Sequence, residues 1–475
     1  MNTGVRRLYG VSRSLPRPFR RSIATGASAS ETATNEPVKA TPKFEPKAED
    51  SPTKVHENLD KRYEIGGRLE FGPDPLDRHD EKGLLKWGAW GVPIKLETAK
   101  GGSVTTASNF WLRDNCRCDK CINQDTMQRA FDTFSIDSDI IPEEVITEKD
   151  GLKVKWAEDG HVSKYDWDWL IKHRSNPLPG YMDKEKKLNR HTYWGAEISS
   201  NPPSVHYDEI MGDENGVGAW TDKIREYGFC YVDGCPVSPE KTQELLERIA
   251  FIRVTHYGGF YDFTADLTIK DTAYTNLALP AHTDTTYFTD PAGLQMFHLL
   301  SHTDGSGGAS LLVDGFNAAR ELEKESRAAY DILAKTPISW HASGNEGVTI
   351  TPAKKVPVLN FHDVVEKKVP NLMQVRWNND DRGVVALRED HGMGAEKWYS
   401  AARKWNAILK KKDMEYWAQL EPGRPLIFDN WRVLHGRSAF TGKRRICGGY
   451  INHDDYVSRW RNTNSSREEV LKQIL

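Results

Sequence analysis

Apolar positions along this chain recur in short bursts, and their spacing changes partway. Between about residues 60 and 175, Leu69–Phe71, Val154–Trp156 and Ser163–Tyr165 alternate apolar and polar side chains, the period-two pattern of half-buried strands. We read residues 61–180 as a small β-rich domain that closes near Trp169–Arg174. A turn-rich stretch at 176–179 and a charged one at 181–190 connect it to the rest of the chain. Beyond 190 the pattern mixes. Residues 239–254 have helical spacing, with Pro239 at the start where its missing N–H does no harm. Helices are also predicted over 316–335 and 394–412. Between them lie short apolar runs, such as Gly293–Leu300 and Arg424–Asp429. Short strands with peripheral helices predict a mainly-β second domain over 190–475, a double-stranded β-helix or jelly roll.

The first 30 residues differ from the rest. They carry six arginines, several Ser and Ala, and no acid before Glu31, which is the composition of a mitochondrial transit peptide. A merely basic tail is the alternative. Removing them takes the formal charge from −3 to −9. Residues 31–60 are rich in Pro, Lys, Glu, Ser and Thr and bury too little to offset ordering, so they read as a disordered linker. No apolar run approaches the roughly 18 residues of a membrane-crossing helix. A pI near 6.6 leaves no electrostatic footprint for nucleic acid.

The candidate chemistry centres on His282-Thr-Asp284 and, far downstream, His435. Two histidines and a carboxylate can hold Fe(II) on one face and leave the other open. If 282–284 is extended, His282 and Asp284 point the same way. Arg444 comes next as a guanidinium suited to a dicarboxylate, and adjacent Arg445 would face away on a strand. Ser306–Ser310 reads either as a glycine hairpin turn or as a flexible pair ahead of a hydroxyl, Ser310, that contacts a 2-oxo acid. Tyr257, Tyr261, Tyr274 and Tyr450 read either as core or as rings around a quaternary ammonium. Cys116, Cys118 and Cys121 with His161 have the donor set of a closed structural zinc site. Scattered free thiols are the alternative, and a zinc-finger nucleic-acid module is disfavoured by the acidic charge.

Long motifs then connect the pieces. Asp271–Asp284, Leu312–Phe316, Phe428–Arg437 and Phe110–Cys116 resemble the γ-butyrobetaine and trimethyllysine dioxygenases over residues 85–460. Asp159–Tyr165, Thr272–Pro280 and Cys447–Tyr450 are similar to the trimethyllysine branch in particular. The resemblance implies a mitochondrial matrix Fe(II)/2-oxoglutarate dioxygenase that hydroxylates Nε-trimethyllysine at carbon 3, opening carnitine biosynthesis. It implies ascorbate as reductant, a homodimer, and neither nucleic acid nor membrane as partner. It makes His282, Asp284 and His435 the iron ligands, Arg444 and Ser310 the co-substrate contacts, the four tyrosines the cage, and Cys116, Cys118, Cys121 and His161 the ligands of a structural zinc. Asp271 is expected either to pair with the substrate's α-ammonium or to cap a turn. Hydroxylation of γ-butyrobetaine and, more remotely, a non-catalytic metal-binding barrel are the alternatives. The oxidised carbon lies farther from the cation in trimethyllysine than in butyrobetaine, so the cage residues need not match one for one.

Overall fold

The computed structural model describes residues 91–98, 101–173, 191–264, 275–361, 372–386 and 393–474. The transit-peptide and linker expectations, the strand expected at Leu69–Phe71, and Asp271 and Tyr274 lie outside them.

The N-terminal part pairs β1 (Gly91–Thr98) with β2 (Gly101–Ser108), and then builds a three-stranded antiparallel sheet from β3 (Pro142–Thr147), β4 (Gly151–Trp156) and β5 (Val162–Asp166). The alternation read from the sequence sets its faces. Val154, Trp156 and Tyr165 are buried in one cluster with Leu112 and Leu152, while Lys164 on β5 stays exposed.

The remaining strands are β6 (Ser204–His206), β7 (Phe229–Asp233), β8 (Tyr261–Thr264), β9 (Leu279–His282), β10 (Leu294–Thr303), β11 (Ser310–Asp314), β12 (Leu359–Phe361), β13 (Leu372–Val375), β14 (Tyr416–Ala418), β15 (Leu426–Asp429), β16 (Val433–Arg437) and β17 (Lys443–Ile451). Ten of them form the two sheets of the double-stranded β-helix. The larger runs β6-β7-β15-β10-β17-β8, and the smaller runs β14-β11-β16-β9. Strand alternation separates three layers. Inward-facing Phe229, Tyr231, Leu299, Leu312, Leu426, Phe428, Val433 and Ile446 fill the space between the sheets. Leu294, Met296 and Ile427 point out of the large sheet onto the helices over 214–227 and 239–247. Val313 and Leu434 point out of the small sheet onto the helices over 315–325, 327–335 and 393–409, with Trp398 and Trp405 buried among them.

Two helices differ from their sequence patterns. The one expected over 239–254 ends at Glu247, because the edge of β17 captures the next residues: Ile252 bridges to Ile451, and the Arg253 N–H donates to the Tyr450 carbonyl. The one expected over 316–335 is two helices. Ser326, at φ −160°, breaks the run and caps the second by accepting from the Ala329 N–H.

The turn between β15 and β16 is tied down by charge. The Arg432 guanidinium, 1% exposed, donates to both oxygens of the fully buried Asp314 carboxylate at 3.1 and 2.9 Å. Asp314 also caps the helix over 315–325. Removing one partner leaves the other as a buried unpaired charge, costing about 3–5 kcal/mol. No helix among the described residues is long and apolar enough to cross a membrane.

Candidate active site

His282 ends β9 and His435 lies within β16, and the two are direct register partners. Their rings stand 4.3 Å apart, centroid to centroid. Leu434 goes outward, so His435 faces inward with Val433. Asp284 does not continue the strand as expected. It lies in the turn beyond β9, where Thr285 adopts φ +55°. What aims it is side-chain clamping rather than strand alternation. Asn430 accepts from the Asp284 N–H at 2.7 Å and donates to the Asp284 and Ala292 carbonyls at 3.0 and 2.9 Å. Asp284 Oδ1 then lies 3.3 Å from His282 Nε2 and 3.8 Å from His435 Nε2. His282 Nδ1 donates to the Pro280 carbonyl at 2.8 Å, which leaves the Nε2 lone pair facing the cluster centre.

The electrostatics suit a cation at that centre. Burial alone would raise the Asp284 pKa, but the two histidines and the Tyr450 hydroxyl hold it well below the usual carboxylate range. Burial lowers His282, yet its contact with Asp284 reverses the sign and raises it. Burial and the charge on His282 push His435 down to about 3. One carboxylate between two imidazoles, all within 4.8 Å, is the donor set that a non-heme Fe(II) site uses.

These residues border a cavity. Its lining includes Tyr257, Tyr261, Tyr287 and Tyr450, together with Ser310, Arg437, Arg444, Asn378 and Asp381. Arg444 is 3% exposed. Burial, with the charge of Arg437 nearby, lowers its pKa to about 10. Its Nε is buried without a hydrogen-bond partner, and no acidic group among the described residues ion-pairs with it. Gly308 lies beside Arg444, and its φ of +71° is a conformation that L side chains rarely adopt. Gly307 and Gly308 both have positive φ, so the segment is the turn between β10 and β11 and it also lines Arg444. A buried guanidinium without an acidic partner fits a carboxylate-bearing co-substrate. Arg445 points away and binds Asp262 at 2.8 Å.

Several positions were not legible from the motifs. Gln295 and Tyr287 line the cavity, and Gln295 donates to Asp284 Oδ2 at 2.7 Å. Arg376 donates to the carbonyls of Thr286, Phe288 and Thr289 and so braces the turn after Asp284. Arg437 donates to the carbonyls of Thr275 and Leu277.

The cysteine cluster is a separate arrangement. The Sγ atoms of Cys116, Cys118 and Cys121 stand 3.2, 3.6 and 3.5 Å from His161 Nε2, close to the roughly 3.5 Å edges of a tetrahedron around zinc. Arg113 donates to Cys121 Sγ and to Asp159, and Asp159 accepts from the His161 N–H at 2.8 Å. Burial and the neighbouring Cys116 push the Cys121 thiol up to about 12. Three clustered sulfurs cannot all ionise there without a cation, which suits Zn²⁺.

Comparison with known proteins agrees with this geometry. The family model "Taurine catabolism dioxygenase TauD, TfdA family" matches residues 184–450, and "Gamma-butyrobetaine hydroxylase-like, N-terminal" matches residues 96–171. A trimethyllysine dioxygenase of Neurospora crassa is 53% identical over 411 residues, covering 80% of this chain and 85% of that protein. The chain belongs to the TauD, TfdA dioxygenase family. The mitochondrial trimethyllysine dioxygenase of Homo sapiens is 39% identical, covering 76% of this chain and 84% of that protein. A gamma-butyrobetaine dioxygenase from a Pseudomonas is 30% identical, covering 75% and 90%. Membership makes the chain an oxygenase dependent on Fe(II) and 2-oxoglutarate.

Proposed function

We propose that this chain hydroxylates Nε-trimethyllysine at carbon 3, the first step of carnitine biosynthesis, with His282, Asp284 and His435 holding the iron. The observation that carries the reading is one cavity that joins this triad to a buried Arg444 and a wall of tyrosines. The choice of substrate leans on relatives: the trimethyllysine dioxygenases match at up to 53% identity, the butyrobetaine enzyme at 30%.

When bound, Fe(II) with 2-oxoglutarate supplies the oxygen activation that places one atom of O₂ in succinate and the other in the substrate, with loss of CO₂. The chain's own residues do the positioning. Arg444 and Ser310, which line the cavity, would hold a carboxylate of 2-oxoglutarate with guanidinium N–H and hydroxyl donors. Tyr257, Tyr261, Tyr287 and Tyr450 offer ring faces to the trimethylammonium, an attraction of about 0.5–2 kcal/mol per ring. Tyr274 and Asp271 keep their expected roles in cation and α-ammonium binding within the same reading.

The Cys116, Cys118, Cys121 and His161 cluster holds structural zinc and staples the small domain at 61–180, ahead of the dioxygenase domain at 190–475. The Arg-rich leader and the mitochondrial names of vertebrate relatives support a matrix enzyme whose leader is removed. A homodimer and ascorbate as reductant complete the proposal. The test is anaerobic reconstitution with Fe(II), 2-oxoglutarate and ascorbate, then O₂, with trimethyllysine and γ-butyrobetaine offered in parallel and products read by mass spectrometry. One oxygen gained by trimethyllysine alone is expected. Oxygen on butyrobetaine alone would move the enzyme to the shorter substrate.

A further inference from the structure

The geometry points to Gln295 and Tyr450 as positioning residues that hold one oxygen of Asp284 and leave the other as the atom offered to the metal. The inference rests on reading His282, Asp284 and His435 as metal ligands. It goes beyond that reading by assigning the Tyr450 hydroxyl to the ligand shell rather than to the substrate.

Asp284 Oδ1 is the oxygen nearest both imidazoles. Oδ2 accepts two hydrogen bonds, from Gln295 Nε2 at 2.7 Å and from the Tyr450 hydroxyl at 2.9 Å. Both donors are set by the fold. Gln295 on β10 and Tyr450 on β17 are direct register partners, and they are 2% and 6% exposed. The outward neighbours of Gln295, Leu294 and Met296, are locked under helices, which keeps Gln295 on the inner face. The hydrogen-bond chemistry leaves no ambiguity. An ionised carboxylate only accepts, so the amide must present its NH₂ to Asp284. The single phenol proton then goes to Asp284, and Tyr450 accepts from Gln295 at 3.4 Å. The Asn430 clamp fixes the Asp284 backbone in the same way, so both main chain and carboxylate are held.

The consequence is coordination through one oxygen. A carboxylate with both oxygens open can take a hard cation bidentately. With Oδ2 occupied by two donors, Asp284 contributes one ligand atom, and more of the metal's sphere remains for co-substrate and O₂. Partners that orient ligating groups typically govern metal affinity by about 10–100-fold. The Tyr450 ring has a separable position. It stands 5.9 Å from Tyr261, edge-on, in the tyrosine wall, so hydroxyl and ring can be tested apart.

The experiment uses the full chain, purified metal-free, with Mn(II) as the probe and the loss of the free Mn(II) EPR signal as the readout. Tyr450→Phe and Gln295→Leu are each expected to weaken Mn(II) binding about 10-fold or more. Tyr450→Phe removes a single oxygen atom, so it decides the question even where Gln295→Leu fails to fold. An unchanged Mn(II) Kd in Tyr450→Phe overturns the inference, and a raised trimethyllysine KM alongside it returns Tyr450 to the substrate wall. Failure of the wild-type chain to bind Mn(II) would instead sink the ligand assignment beneath it.

Discussion

Among the described residues two clusters can hold a metal ion, and they solve opposite problems. The cysteine cluster turns four donors on one point, three of them within six residues, and Arg113 and Asp159 close around it. Four ligands saturate a tetrahedron, so such a site contributes folding energy and has nothing left for a substrate. The histidine–aspartate cluster supplies only three donors, drawn from β9, the turn after it, and β16. Its open side faces a cavity walled by tyrosines and arginines. The number of protein donors, and what lies opposite them, separates a staple from a reaction centre.

The comparison breaks most sharply under ligand removal. His282→Ala is expected to reduce oxygenation to background while the thermal unfolding midpoint stays near wild type and the zinc content is unchanged, read by succinate release, calorimetry and metal analysis. Retained turnover with Fe(II) present would show that His282 is not a ligand. Cys121→Ser should do the reverse. It should lose zinc and destabilise the N-terminal sheet by several kcal/mol, seen as early unfolding of that part, while Fe(II) still binds the barrel. If the variant melts like wild type, the staple role fails.

Arg444 sharpens the catalytic side. Arg444→Lys keeps a positive charge but loses the planar fork, and KM for 2-oxoglutarate should rise about 10-fold or more, with a smaller change in KM for trimethyllysine. Equal shifts in both would mean that Arg444 supports the cavity as a whole.

How much of this was legible depends on where the chemistry sits in the chain. His282, Asp284 and His435 stood out because their residue types and motifs carry chemistry by themselves, and Cys116, Cys118 and Cys121 because they cluster in a cysteine-poor chain. The strands Val154–Trp156 and Ser163–Tyr165 were legible because one face is buried and the period is two. Gln295 was not: within Leu294–Leu300 it reads as a polar interruption of an apolar run, and its meaning depends on Asp284 and Tyr450 arriving from other segments. Nor was the role of Arg376, because its carbonyl partners, Thr286, Phe288 and Thr289, become neighbours only once the turn after β9 folds back. The helix expected to run to residue 254 stopped early for the same kind of reason, since an open strand edge outcompeted local spacing. His282 and Asp284 do meet, but for a different cause than the His-x-Asp spacing suggests: Asn430, not strand alternation, aims Asp284.

The smallest expected effect concerns histidines outside both clusters. His298 is fully buried in the barrel domain, with Nε2 accepting from the Gly423 N–H at 3.0 Å and Nδ1 facing the Thr242 hydroxyl at 2.6 Å. Thr242 in turn donates to the Ser238 carbonyl, so it must accept from Nδ1, and the neutral ring has both nitrogens satisfied. A second proton would need an acceptor where a donor stands. Burial pushes His298 down to about 4, and burial with the charge of Arg432 pushes His191 to about 4 as well. Each lies below the unfolded value near 6.5. The unfolded chain therefore binds protons first as pH falls, and stability present above about pH 6.5 is lost between there and pH 4. Urea unfolding of the metal-free protein at pH 7.5 and 5.0 should differ by about 2 kcal/mol for each such histidine. His298→Leu should flatten that dependence. A slope as steep as wild type would mean that His298 titrates normally, and that its two hydrogen bonds do not select the neutral ring.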